Sequence, residues 1–159
     1  MAAEEFVHHC HSKAVGWLEL RISAKGVRSI SFISAPQSPI KSTDHPLMRK
    51  LVSELDQYFA GNPTTFSVPL DPESGTSFQR QVWEQLALIP YGKTRSYADI
   101  ARKVDCPRGS RAVGLANKNN PIPILIPCHR VIRADGNLGG YNSGIGIKKS
   151  LLKLEGVRC

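Results

Sequence analysis

Hydrophobic and polar residues alternate along WLELRI (17–22) and again along VRSISF (27–32), with Ala24, Lys25 and Gly26 between them. Alternation with a period of two, broken by a short turn-forming segment, predicts a β-hairpin. A further strand is expected around Phe6 to Cys10, and APQSPIKSTDHP reads as a Pro/Ser-rich loop. The pattern then changes period. Leu47, Leu51, Leu55 and Tyr58 or Phe59 recur at helical spacing, with Asp44 as cap, a start near His45 or Pro46, and Gly61 as terminator. The stretch NPTTFSVPLDPESG reads as a connector.

Beyond it the pattern is mainly helical. Phe78, Val82 and Leu86, with Trp83 beside them, predict a helix over about 77–88, closed by Pro90-Tyr91-Gly92. Ser96 can cap a helix containing Tyr97, Ile100, Ala101 and Val104. A turn at 105–107 leads to a second, basic helix over 110–118, rich in small residues. Helix, short turn, helix is the helix-turn-helix pattern, which serves DNA binding or ordinary helix packing. The reading is therefore an α/β N-terminal domain (1–75, a small antiparallel sheet with a helix, plus connector). A mainly helical C-terminal domain (76–159) contains the helix-turn-helix.

Charge sharpens this division. Residues 1–75 carry 7 basic and 8 acidic side chains, whereas 76–159 carry 14 basic and 5 acidic, so the formal net charge of +8 lies in the second part. A polyanionic partner would meet that part. No run approaches the length of a membrane span, and Glu4 and Glu5 stand where a secretory signal would be basic, so an intracellular chain is expected. Its four cysteines, Cys10, Cys106, Cys128 and Cys159, form no small disulfide framework and are expected as thiols. HHCH at 8–11 lacks the remaining members of a tetrahedral set, and no metal is expected there.

The chemistry concentrates in NPIPILIPCHRVIRADGNLGGY, residues 120–141. Pro121, Pro123 and Pro127 restrain the backbone, and the apolar run Ile122, Ile124, Leu125, Ile126 is expected to be buried beneath Cys128 and His129. An apolar surround raises a thiol's pKa, so a reactive Cys128 needs a compensating base or donor. Adjacent residues of a strand point opposite ways, so a working Cys128–His129 pair requires a non-extended turn. Glu155, after the stripe Ile147, Leu151, Leu154, is the acid placed to orient the imidazole, near the edge of that helical face. A buried cysteine beside a surface histidine, with a solvated last-turn acid, is the alternative.

PCHRV (127–131) within NPIPILIPCHRVI, GNLGGY (136–141), LLKLEG (151–156), SYADIA (96–101) and SRAVGLANKNNP (110–121) stand in one order and spacing. In this the chain closely resembles the O6-alkylguanine-DNA alkyltransferases, nearly continuously from Ser77 to Gly156 and more weakly before. The resemblance implies repair of O6-alkylguanine by one irreversible transfer of the alkyl group to Cys128, and it leaves open whether O4-alkylthymine is a substrate too. It implies His129 as base through a water, Glu155 as its holder, Asn120 as brace of the turn, and Tyr97 as donor to the guanine or helper of base rotation. Arg111 would fill the gap left by the flipped nucleotide, with Ala112, Gly114, Ser96, Ser110 and Tyr97 on the DNA side. The backbone of Val131 and the segment Gly140, Tyr141, Asn142 would form the guanine pocket. In this family the helix-turn-helix enters the minor groove. The implied partner is double-stranded DNA bearing O6-alkylguanine, met by a monomer in cytoplasm or nucleus, with no cofactor and no membrane. Cys106 and Cys159 are expected to take no catalytic part.

Two rivals predict otherwise. A lesion marker or helix-turn-helix regulator has no need of a cysteine at position 128. A cysteine hydrolase built on Cys128, His129 and Glu155 has no need of the charge on the second part.

Overall fold

The computed structural model describes residues 4–37 and 39–158, so Ser38 and Cys159 lie outside the described residues. The chain divides into two compact units, Met1–Glu73 and Ser74–Cys159.

The first unit is an antiparallel sheet of β1 (Glu5–Ser12), β2 (Gly16–Ser23) and β3 (Val27–Ile33), in the order β1-β2-β3. Leu18, Leu20 and Ile22 of the central strand are buried and the residues between them are less so, as the alternation requires. Gly26 allows a close approach, since a Cβ there would lie 2.6 Å from the Pro69 carbonyl oxygen. Val27 N–H donates to that oxygen at 2.8 Å, which seats the segment after α1 against the end of β3.

Helix α1 (Pro46–Phe59) starts one residue later than an Asp44 cap would place it. His45 is the N-cap, its Nδ1 accepting from Leu47 N–H at 3.1 Å, while Asp44 pairs with Arg49. Pro46 stands at the first helical position, where its missing N–H costs nothing. The buried stripe runs through Met48, Leu51, Leu55 and Tyr58, with Met48 in the place expected of Leu47. Gly61, at φ +88°, follows the C-cap Ala60.

The second unit contains α2 (Ser77–Ala87), α3 (Tyr97–Lys103), α4 (Ser110–Lys118) and α5 (Ile145–Leu154), with a small parallel pair, β4 (Arg95–Ser96) and β5 (Val131–Ile132). Capping boxes open α2 (Thr76 with Gln79) and α3 (Ser96 with Asp99). Helix α3 closes at Asp105, whose φ of +56° lets Cys106 N–H reach back to the Ala101 carbonyl at 2.9 Å. That tight turn sends α4 off as the second helix of the pair. Trp83 Nε1 donates to the Ala116 carbonyl at 2.9 Å and ties α2 to α4. Pairing of Arg95 with Val131 and of Ser96 with Ile132 places the start of α3 beside the residues that follow Cys128. Among the described residues, no helix is long and apolar enough to cross a membrane.

Candidate active site and nucleic-acid interface

Ile122, Ile124, Leu125 and Ile126 are all buried, as their apolar run requires. Ile124 adopts φ +74°, unusual for a β-branched residue and a local strain that the surrounding structure holds. Asn120 braces the turn from within: its Nδ2 donates to the Ile126 carbonyl at 2.8 Å and its Oδ1 accepts from Ile122 N–H at 3.0 Å. The chain then enters a single 3-10 turn, Cys128–Arg130. This is the non-extended conformation that allows neighbouring side chains to serve one site.

His129 is fully buried, and its Nε2 lies 2.5 Å from Glu155 Oε2. Glu155 is buried too, at the C-cap of α5, and not at the edge of a solvated face. The inward face of α5 is Lys148, Leu151 and Leu152, followed by Glu155, so it is rotated from the expected stripe of Ile147, Leu151 and Leu154. The carboxylate also accepts from Gly92 N–H at 3.0 Å and from Arg130 Nε and Nη2 at 2.8 and 3.1 Å. Arg130, which the sequence reading left without a role, is buried, donates to the Ile89 carbonyl at 2.7 Å and lies over the Tyr91 ring. A cation next to the His in PCHRV was the one signal for it.

Burial pushes the His129 pKa below its ordinary value, against the pull of Glu155. The ring is therefore neutral near pH 7, with its N–H on Nε2 toward Glu155 and a lone pair on Nδ1. Burial likewise raises the Cys128 thiol, opposed by hydrogen bonding from Asn120 and Tyr141 and by the charge of Lys148. The resting pair is thiol and imidazole, with donors in place to favour the thiolate.

Cys128 Sγ, 3.9 Å from the Tyr141 hydroxyl, lines a pocket of about 940 Å³. Tyr97, Ser110, Arg111 and Gly114 line it from α3 and α4, and Gly140, Tyr141 and Asn142 from the segment before α5. Gly139 fits closely: at φ +73°, a Cβ there would come within 3.0 Å of the Tyr97 hydroxyl. Asn117, Lys118 and Arg133 are lining residues that the sequence reading did not single out. Three expected residues do not line the pocket, two of them, Ser96 and Ala112, expected on the DNA side and one, Val131, expected in the pocket wall. Ser96 is engaged as the cap of α3, Ala112 lies exposed on α4 outside the lining, and Val131 is buried with its carbonyl taken by Lys148 Nζ at 2.7 Å. Arg111, Ala112, Leu115 and Lys118 form an exposed face of α4 beside the pocket mouth. Among the described residues no group of His, Cys, Asp and Glu is arranged to hold a metal; His9 of the HHCH segment instead lies 3.1 Å from Glu19.

Cys128 lines this pocket and α4 presents a basic face beside it, and the stretches of sequence that build both units match known domains. Residues 77–157 match the model of the 6-O-methylguanine DNA methyltransferase DNA-binding domain, and residues 11–72 that of its ribonuclease-like domain. The chain belongs to the 6-O-methylguanine DNA methyltransferase family. It is 46% identical over 148 residues to the methylated-DNA–protein-cysteine methyltransferase of Methanosarcina acetivorans, covering 89% of this chain and 93% of that one. It also resembles Mycobacterium tuberculosis OGT in a structure with DNA, at 42% identity and TM-score 0.83, covering 94% of this chain and 92% of that one. The structure of the Mycobacterium tuberculosis O6-methylguanine methyltransferase matches at 41% identity and TM-score 0.83, covering 96% and 93%. The methyltransferase family thus spans both units, with the α/β sheet domain and the mainly helical domain expected from the sequence.

Proposed function

We propose that this chain repairs DNA by transferring the alkyl group of O6-alkylguanine directly and irreversibly to Cys128, once per molecule. The observation that carries this is Cys128 lining a pocket roomy enough to admit a nucleoside, followed in one 3-10 turn by a His129 that Glu155 holds at 2.5 Å. The O6 position faces the centre of the base pair, so the nucleotide must leave the stack before a buried thiol can meet it. Arg111 at the pocket mouth fills the gap and faces phosphates, and the small Ala112 and Gly114 let α4 approach the floor of the minor groove.

In the reaction His129 Nδ1 takes the Cys128 proton, through one water. The thiolate attacks the alkyl carbon, an S–C bond forms as the C–O6 bond breaks, and the electron pair leaves with the guanine. Tyr97 donates to guanine N3 and stabilises that leaving group; its own pKa is raised by burial, so it stays a phenol. The thioether offers His129 no route to regenerate the thiol. One chain supplies the whole site, and we place its action as a monomer wherever the cell keeps its DNA, cytoplasm or nucleus.

The test is intact-protein mass after mixing with a duplex carrying one O6-methylguanine. A gain of one methylene per chain, mapping to Cys128 and saturating at one equivalent, is expected. Tight binding of the lesion duplex without any gain would instead make the chain a lesion marker.

A further inference from the structure

The pocket is lined by the cations Arg111 and Lys118 on α4 and by Arg133, which comes from elsewhere in the fold. Strands β4 and β5 run parallel with Ser96 paired to Ile132, so the next residues, Tyr97 and Arg133, leave the strands side by side. Beyond Arg133 the chain turns back at once. Its N–H donates to the Asn137 carbonyl at 2.8 Å, and its carbonyl accepts from Gly136 N–H at 3.0 Å. Gly136 takes φ +90°, a conformation that a side chain would strain. Asp135 completes the turn, accepting from Asn137 N–H at 3.0 Å and from Asn137 Nδ2 at 3.1 Å. These bonds close the turn without using the Arg133 side chain.

That side chain is 63% exposed, and among the described residues its ion-pair partner is Asp135, at 3.9 Å. A pair at such a separation between two exposed groups adds little. Asp135 is already committed to Asn137, whereas a guanidinium presents five donors in a planar fork. Its charge reaches the Tyr97 hydroxyl, so the guanidinium stands by the pocket wall and not out in solvent. An extruded nucleotide supplies the partner that this fork lacks. When the base enters toward Cys128 its sugar stays at the mouth, and the phosphates on its 5′ and 3′ sides are drawn to the rim. Helix α4 holds one stretch of that rim with Arg111 and Lys118, and Arg133 meets the backbone beyond it. Two phosphate oxygens match the guanidinium fork bidentately.

We propose that Arg133 is a specificity residue for the extruded nucleotide, its guanidinium clamping one of the two phosphates that flank the lesion only after the base has entered the pocket. This rests on the repair reading of the same pocket. In a stacked, undamaged duplex the backbone follows α4 and no phosphate is drawn into the mouth. The contact therefore adds to the affinity for an extruded lesion and not to the general attraction for DNA, which the basic face of α4 supplies. A phosphate met bidentately displaces the loose contact with Asp135, whose carboxylate stays with Asn137.

The experiment measures binding by fluorescence anisotropy in a Cys128→Ser background, with and without Arg133→Ala, at several salt concentrations. The ligands are an O6-methylguanine duplex, its undamaged counterpart, and two lesion duplexes in which the 5′ or the 3′ flanking phosphate is an uncharged methylphosphonate. Arg133→Ala is expected to weaken lesion binding about tenfold and to lower its salt slope by about 1, while undamaged binding stays within about twofold. At one of the two positions the methylphosphonate should weaken binding by a similar factor when Arg133 is present and by nothing further in Arg133→Ala, since both changes delete one contact. Equal losses on lesion and undamaged duplexes would make Arg133 a general phosphate contact and overturn the proposal. Additive losses at both positions, or lesion binding that Arg133→Ala leaves unchanged, overturn it too. Methyl transfer to the wild-type chain is read separately on the same lesion duplex. A wild type that takes up no methyl group refutes the repair reading, whereas intact transfer with a failed binding cycle refutes the clamp alone.

Discussion

Replacing Glu155 with Gln tests the buried network under His129 most directly. The carboxylate accepts from Gly92 N–H, from two nitrogens of Arg130 and from His129 Nε2. Both partners of the ion pair are out of solvent, with side-chain exposures of 7% for Arg130 and 0% for Glu155, so screening does not soften the loss. Glutamine keeps the shape but removes the charge and turns an NH2 group toward one of these donors. The Arg130 guanidinium then remains buried with the Ile89 carbonyl and the Tyr91 ring as its named neighbours. Breaking a buried pair in this way costs about 3–5 kcal/mol. Against a domain stability of about 5–15 kcal/mol that is a large fraction. The assay is urea unfolding of the wild type, Glu155→Gln, Arg130→Met and the double variant. Each single variant strands a charge and the double variant strands none, so the double should recover about 1–3 kcal/mol relative to the sum of the singles. Transfer should be slow in Glu155→Gln even where it is folded, because the imidazolium loses its counter-charge. Additive single variants, or a Glu155→Gln chain within about 1 kcal/mol of wild type, would refute the buried pair.

Three further outcomes are expected. Cys128→Ser should take up no alkyl group from an O6-methylguanine duplex yet bind that duplex within about twofold of wild type by fluorescence anisotropy, since α4 and its charges are untouched. Arg111→Ala should weaken duplex binding and reduce the slope of log K against log salt by about 1, read from titrations at several salt concentrations. The native state should lose stability as pH falls below 6.5, the ordinary His value, because the unfolded chain then binds a proton that buried His129 refuses. Urea midpoints that decline over this window in the wild type, and decline less in His129→Gln, would bear this out.

What the sequence held locally, it showed plainly. The alternation of Leu18, Leu20 and Ile22, the capping box at Ser96 and the small residues of α4 are each set by neighbours within a few positions. The ordered motifs around Cys128 carried the family, and with it the reaction. Misplacements occurred where two choices differ by one position. His45 displaced Asp44 as a cap because Pro46 begins the helix immediately after it, and Met48 took the buried place of Leu47 because hydrophobic neighbours are nearly equivalent by pattern.

Tertiary structure alone decided the charges at the site. Lys148 reads as a surface residue in GIKKSLLKLEG, and α5 could have turned Ile147 inward instead. Packing selected the face that carries Lys148, Leu151 and Leu152 into Glu155, and the same rotation brought the acid to His129. Arg130 became buried because Glu155 and the Ile89 carbonyl converged on it from segments 25 and 41 residues away. A buried charge is tolerable only where distant partners meet it, and no local pattern records such a meeting. Composition placed the excess of positive charge in the second part of the chain, but the fold determined which of those charges stand exposed on α4 and which are buried against Glu155 or backbone carbonyls.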